Sequence, residues 1–214
     1  MTSPKTPRIY VLAGVNGAGK SSIGGAIFSA SEAAYYNPDD AARKFKVANP
    51  RLTQTQANSA AWQQGRLMLE AAIARRLDFV FETTLGANTI PRLLSEAAAK
   101  GMGVYVLYIG LASPELHIER VRARVRRGGH DIPEADIRRR YKHSRINLIH
   151  LLPVLTALRM YDNSSDADPA EGKEPAPMLV LHMERGKIVG PADLTKTPDW
   201  AKPIVAAALK MQSQ

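Results

Sequence analysis

Short apolar runs alternate with longer amphipathic stretches along most of the 214 residues. Residues 9–13 (Ile-Tyr-Val-Leu-Ala) form an apolar run of strand length, and after a glycine-rich turn residues 22–31 open as a helix. Ala34-Tyr35-Tyr36 predicts a short second strand ending in Asn37-Pro38-Asp39-Asp40. Pro38 suits the first turn of a helix running to about Phe45. Asn37 is its natural cap, because an Asn side-chain oxygen accepts from N–H groups that a first turn leaves unpaired. Apolar positions at Ala60, Ala61, Leu67, Leu69, Ala71, Ala72 and Ile73 predict a helix over 52–76, started by Thr53 or Thr55. Phe79-Val80-Phe81 is a strand stopped by Glu82-Thr83-Thr84, and a helix over 88–100 precedes Gly101 and Gly103. Residues 104–109 are the most continuous β-branched and aromatic run, which marks a central strand.

Further on, Ser113-Pro114-Glu115 opens a helix to about Arg127, and Gly128-Gly129 breaks it. Pro133-Glu134 starts another, running to about His150 and ended or kinked near Pro153. Residues 159–162 are expected as a short last strand of the main sheet, and the acidic, proline-bearing stretch 163–177 as a loop or linker. A hairpin over 178–189 turns at Arg185-Gly186, and a helix over 199–210 follows. Strands alternating with helices predict an α/β fold whose mostly parallel sheet gathers ligands at the carboxyl ends of its strands. Three such ends carry polar groups: Asn37/Asp39, Glu82/Thr84 and Asp162/Asn163. The expected organisation is a main domain over 1–165 and an extension over 166–214, made of linker, hairpin and helix, packed on it.

Composition narrows the classes. With no cysteine there is no disulfide framework, thiol nucleophile or cysteine-ligated metal site, which fits a reducing cytoplasm. Residues 1–8 do not read as a signal peptide, and no apolar stretch approaches a membrane span, so a cytoplasmic protein without a membrane partner is expected. The net charge of +9, from 29 Lys and Arg against 20 Asp and Glu, admits nucleic acid or a small polyanion as ligand. Much of it is concentrated in Arg120, Arg122, Arg124, Arg126 and Arg127, and then in Arg138-Arg139-Arg140.

The chemistry starts at Gly14-Val15-Asn16-Gly17-Ala18-Gly19-Lys20-Ser21, which matches G-x-x-x-x-G-K-[ST] between a strand and a helix. Consecutive backbone N–H groups and the positive helix end converge there on one anion. Gly14, Asn16, Gly17, Ala18, Gly19, Lys20, Ser21 and Ser22 are therefore the expected contacts of a nucleoside triphosphate. Lys20 reaches the outer phosphates, and the Ser21 hydroxyl is a ligand for Mg²⁺. In a P-loop fold the second strand ends beside the γ-phosphate, so Asp39 can accept the proton of an attacking hydroxyl, with Asp40 as the adjacent alternative. Glu82 sits either near the Mg²⁺ water shell or on substrate hydroxyls, with Thr84 as a second contact. The glycine turn at 128–133, flanked by arginines, is what a closing lid needs. Arg127 and one of Arg138, Arg139 and Arg140, with Arg139 as the choice, are the candidates for stabilising charge on the transferring phosphoryl group. Asn163 lines the purine pocket or merely caps a turn. His130 carries no assigned role, and the remaining histidines lack zinc-ligand spacing.

These motifs in order, Gly14 to Ser21, Asn37-Pro38-Asp39, Phe81-Glu82-Thr83-Thr84-Leu85, and Gly128-Gly129-His130-Asp131-Ile132-Pro133 with Arg138-Arg139-Arg140-Tyr141, resemble the zeta-toxin superfamily of P-loop kinases. Within it they are similar to the compact bacterial branch labelled ABC-type ATPases, although no Leu-Ser-Gly-Gly-Gln-like signature is present. The resemblance covers about residues 7–165. It implies a P-loop NTPase three-layer sandwich with a helical lid, and transfer of a γ-phosphoryl group from ATP or GTP, with Mg²⁺, to a hydroxyl of a small molecule such as UDP-N-acetylglucosamine. It also implies an antitoxin protein as partner. By resemblance Asp39 is the general base, Glu82 and Thr84 contact the substrate sugar, and the lid arginines act on the phosphates. The chain differs from the family where Asp-x-Asp is Asn37-Pro38-Asp39 and where Glu-Gly-Thr is Glu82-Thr83-Thr84. The alternative function is a nucleic-acid-binding P-loop protein such as a polynucleotide kinase. The absence of an aromatic platform among the arginines, other than Tyr141, speaks against nucleic acid.

Overall fold

Hydrogen-bonded strands β1 (Arg8–Ala13), β2 (Tyr35–Tyr36), β3 (Phe79–Thr83), β4 (Gly103–Gly110), β5 (Ala157–Asp162), β6 (Met178–Glu184) and β7 (Lys187–Gly190) form one sheet in the order β2-β3-β1-β4-β5-β6-β7. The computed structural model describes residues 6–21, 23, 35–165 and 176–213. The first five strands are parallel, and β4 lies at the centre, as its unbroken apolar run requires. Side chains alternate between faces. Ile9, Val11, Ala13, Val104, Val106 and Tyr108 join the larger core, and Leu12, Leu107 and Ile109 a smaller one beneath the glycine loop.

The expected end of the sheet at 159–162 is corrected by the structure. Strand β5 is not an edge: β6 pairs with it antiparallel and β7 extends the sheet further. The reason is burial. Leu158 and Met160 are fully enclosed, and a strand so buried needs a backbone partner on both sides. Strand β3 also runs two residues further than its apolar run, to Thr83, so Glu82 lies within it, opposite Leu12.

The helices are α1 (Pro38–Ala48), α2 (Gln54–Arg75), α3 (Thr89–Ala99), α4 (Pro114–Arg126), α5 (Glu134–Leu151) and α6 (Lys202–Gln212). Three of their starts, those of α1, α2 and α4, follow side-chain caps, and α6 begins at Lys202, three residues after the expected 199. The Asn37 side chain accepts from the backbone N–H groups of Asp39 and Asp40 at 2.8 and 3.4 Å. Thr53, rather than Thr55, caps α2 in a reciprocal box with Gln56, and Ser113 caps α4. Pro153 falls in a 3₁₀ turn, Leu152–Val154, that ends α5. Helices α2, α3, α5 and α6 supply Leu69, Leu94, Leu148 and Ile204 to the larger core. Lys20, Ser21 and Ile23 are helical, whereas Ser22, most of the helix expected over 22–31 and much of the 163–177 linker lie outside the described residues. Among the described residues no helix is long and apolar enough to cross a membrane.

Candidate active site

The loop between β1 and the helix at Lys20 is packed from below so tightly that its glycines have no substitute. Gly14 has φ +143°, and a Cβ there would lie 2.3 Å from the Ile109 carbonyl oxygen. Gly19 has φ +85°, and a Cβ would lie 2.6 Å from the Asn163 amide nitrogen. Asn163 is buried under the loop, where its amide donates to the Ala18 carbonyl at 3.0 Å and its backbone N–H to Gly110. That position makes it a brace of the phosphate loop from beneath. Asn16 is held twice, as its carbonyl meets His117 Nδ1 at 2.8 Å and its side-chain oxygen accepts from Arg140 at 2.7 Å. Burial pushes the His117 imidazole down to about 4, so the ring is neutral and Nδ1–H is the donor.

Lys20 is buried and donates to the Gly14 carbonyl at 2.8 Å, with Glu82 Oε1 3.5 Å from its ammonium. The other Glu82 oxygen accepts from Tyr35 Oη at 2.8 Å and from Asn37 Nδ2 at 3.0 Å. Burial, then the Glu82 charge, raises the Tyr35 phenol above its ordinary value, so it stays a donor. One carboxylate thus ties the P-loop lysine to the Asn37 cap, and that cap sets the backbone of Asp39. Asp39 and Asp40 separate here: Asp39 lines the cavity, and Asp40 pairs with Arg43 at 2.7 Å on the outside of α1. Ser21 is exposed at the helix start.

After β3 the chain turns through Leu85, which is buried with φ +51° and whose carbonyl accepts from Asn147 at 2.7 Å. The turn leaves Thr84 on the cavity wall with its hydroxyl accepting from Gly86 N–H at 3.3 Å. The lid arginines divide differently from expectation. Arg140 lines the cavity, whereas Arg139 pairs with Asp136 at 2.8 Å and Arg127 donates to the Ala123 carbonyl at 3.4 Å. Neither Arg127 nor Arg139 lines the cavity. The reason is helical phase: Ile137, Ser144, Leu148 and Leu151 are buried, and Arg140 lies three and four residues from the first two. Arg138 and Arg139 fall on the outer flank. From α4, Arg124 comes within 3.9 Å of Asp39, and His130 Nε2 within 3.7 Å, so the glycine turn reaches the acid at α1.

Together these groups enclose a cavity of about 590 Å³. It joins Lys20, Asp39, Glu82, Thr84 and Arg140 to a wall that sequence reasoning missed: Gln54, Asn58, Trp62 and Arg66 of α2. Their spacing of four residues was the available signal, since positions four apart stack on one helix face. Among the described residues no three His, Asp or Glu side chains cluster to hold a metal.

The zeta-toxin family model matches residues 1–166. A Haemophilus influenzae protein described as uncharacterized is 32% identical over 128 residues, which is 60% of this chain and 88% of its own. A chain of the AvrRxo1-ORF1:-ORF2 assembly crystallised with ATP superposes with a TM-score of 0.66 at 14% identity. The match covers 96% of this chain and 64% of the other, so this chain spans just under two-thirds of that protein's length. A chain of the PezAT chromosomal toxin-antitoxin system of Streptococcus pneumoniae gives a TM-score of 0.54 at 13% identity, over 100% of this chain and 88% of its own. At such identities the shared property is the fold. A P-loop braced from below, a strand-end carboxylate on its lysine and a match over more than three-quarters of the residues lead to one assignment: the chain belongs to the zeta-toxin family of P-loop kinases.

Proposed function

We propose that the chain transfers the γ-phosphoryl group of ATP, or GTP, to a hydroxyl of a small molecule, with Asp39 as general base. The observation that carries this reading is the placement of Asp39 and Lys20 on the walls of one cavity while Asp40 is engaged outside it. Lys20 exchanges the Gly14 carbonyl and Glu82 for the β- and γ-phosphate oxygens. Asp39 accepts the proton of the acceptor hydroxyl as that oxygen bonds to the γ-phosphorus; the bond to the bridging oxygen breaks, and ADP leaves. Arg140, already at the loop through Asn16, supplies positive charge to the phosphoryl group in transit.

The donors suit Mg²⁺ held chiefly by the phosphates: Ser21 offers a hydroxyl, and Glu82 is the carboxylate nearest Lys20. When bound, the ion neutralises charge on the β- and γ-oxygens. Glu82 and Thr84 remain candidates for acceptor contact. The PezAT neighbour, a chain of a toxin-antitoxin system, motivates a further part of the proposal, an antitoxin-like partner protein; co-purification of such a partner with the chain tests it.

A polynucleotide kinase is the weaker reading. Tyr141, the aromatic residue among the arginines, has Arg145 over its ring at 4.1 Å and His117 edge-on at 5.6 Å, which leaves little face for a base. The test compares Asp39→Asn with Asp40→Asn, using labelled ATP, Mg²⁺ and a metabolite extract. The expected result is that Asp39→Asn keeps ATP binding and loses transfer by at least a hundredfold, while Asp40→Asn transfers normally. Transfer retained in Asp39→Asn removes Asp39 from the role.

A further inference from the structure

The α2 wall of the cavity carries its own chemical message. Gln54, Asn58, Trp62 and Arg66 stand four residues apart, so they form one row along the helix, about 18 Å from end to end at ~1.5 Å per residue. Packing holds the row in place: Gly65 lies against the Tyr36 ring, where a Cβ would approach it to 2.5 Å. Thr53 and Gln56 fix the start of the helix. Within the row, Gln54 Nε2 donates to Asn58 Oδ1 at 2.9 Å, which leaves the Gln54 carbonyl as acceptor and the Asn58 amide as donor for a ligand. Trp62 lines the cavity with 43% of its surface exposed, unusual for an indole on a helix that buries Ala57, Ala61 and Leu69.

Charge separates the candidate ligands. The cations at the P-loop end, Lys20 and Arg140, serve the triphosphate in the reading above. On the α2 wall the sole cation is Arg66, and it is already paired with Glu70 at 2.7 Å while lying 6.0 Å over the Trp62 ring. The carboxylates of Asp39, Asp131 and Asp136 line the same cavity. Of these acids Asp39 already faces Arg124 and His130, and Asp136 faces Arg139, so a diphosphate bound on this side would find every described basic lining group engaged: Lys20 and Arg140 at the P-loop, Arg66 with Glu70, and His130 beside Asp39.

We propose that the acceptor is an uncharged ring bearing several hydroxyls, a neutral sugar or a nucleoside, laid face-on against Trp62 with its polar edge on Gln54 and Asn58. This rests on the phosphotransfer reading and names the substrate class of the same site. An indole face matches the apolar face of a pyranose or a base, and paired amides match hydroxyls or a base edge. Asp39, on the same cavity, takes the proton of the hydroxyl that is phosphorylated, as above.

Calorimetry on the full chain, with Mg²⁺ and a non-hydrolysable ATP analogue, tests the class with three probes: N-acetylglucosamine, uridine and UDP-N-acetylglucosamine. The expected result is that one neutral probe binds at least as tightly as the anionic conjugate. Trp62→Ala should weaken that probe at least tenfold, and the exposed Asn58→Ala threefold or more, with affinity for the ATP analogue unchanged in both. Binding of N-acetylglucosamine but not uridine assigns a sugar; the reverse assigns a nucleoside. Tenfold tighter binding of UDP-N-acetylglucosamine than of both neutral probes overturns the neutral class and leaves the kinase standing. So does binding of none of the three when the analogue binds, or neutral binding that neither variant weakens. Failure to bind the ATP analogue overturns the phosphotransfer reading itself, and the acceptor class with it.

Discussion

Lowering the pH should loosen the floor of the phosphate loop through one buried side chain, His117. Only 1% of its surface is exposed, and burial is the main reason its imidazole falls from 6.5 to about 4. The hydrogen bond to the Asn16 carbonyl opposes that fall, while repulsion from Lys20, Arg120 and Arg145 adds to it. The folded state therefore prefers the neutral ring, and between these two pH values the unfolded chain binds more protons. The resulting stability is fully present above pH 6.5 and is lost as the pH falls through 6.5 toward about 4. The gap corresponds to about 3 kcal/mol at most. Urea melts at a series of pH values between about 4.5 and 7.5 read it directly, in the wild type and in His117→Asn, whose amide can still donate toward Asn16. The stability advantage of the wild type should shrink by about 2 kcal/mol across that window, short of the full amount because pH 4.5 stops above the folded value. Parallel curves for the two proteins would refute the argument, since the titrating group would then lie elsewhere.

Three further outcomes are expected. Gly19→Ala places a Cβ at φ +85° and 2.6 Å from the Asn163 amide, so ATP affinity should fall at least tenfold; an unchanged dissociation constant in equilibrium binding would contradict the packing described. Glu82→Gln keeps an acceptor for Tyr35 and Asn37 but removes the charge beside buried Lys20. The ATP-free protein should lose roughly 3 kcal/mol, and saturating ATP should restore most of it; equal losses with and without ATP would show that the pair does not act on the lysine. Gly110→Ala sets a Cβ 2.2 Å from the Trp200 ring, and should cost about 1–3 kcal/mol in urea melts with a changed near-ultraviolet signal from Trp200.

The parts of the fold legible in the sequence were those with local causes. Asn37, Thr53 and Ser113 cap helices because each side chain bonds to N–H groups two or three residues on, and the glycine loop announces itself by spacing. What was not legible depended on partners far along the chain. The outer neighbour of β5 is a strand some twenty residues later, and a hairpin's own pairing gives no sign of which sheet it will join. In the site, Asp39 and Glu82 stood out as strand-end acids, but nothing local separates Asp39 from Asp40; the α1 surface does, by giving Asp40 to Arg43. Arg140 could have been preferred over Arg139 from the phase of Ile137, Ser144 and Leu148 alone. The α2 wall passed unnoticed because two amides, an indole and a guanidinium spell no recognised motif until a cavity makes them neighbours.

The junction after β5 has a consequence for how the chain is made. Asn163, the brace under Ala18, leaves a strand whose outer backbone partner is β6 and whose Asp162 carboxylate accepts from the Trp200 indole at 3.3 Å. The ribosome releases the phosphate loop first and these supports last. A nascent chain that has exposed Gly14 to Ser21 but not yet Trp200 carries the nucleotide motif without the scaffold that shapes it. Nucleotide binding is then expected only after Trp200 has emerged, well behind the loop itself.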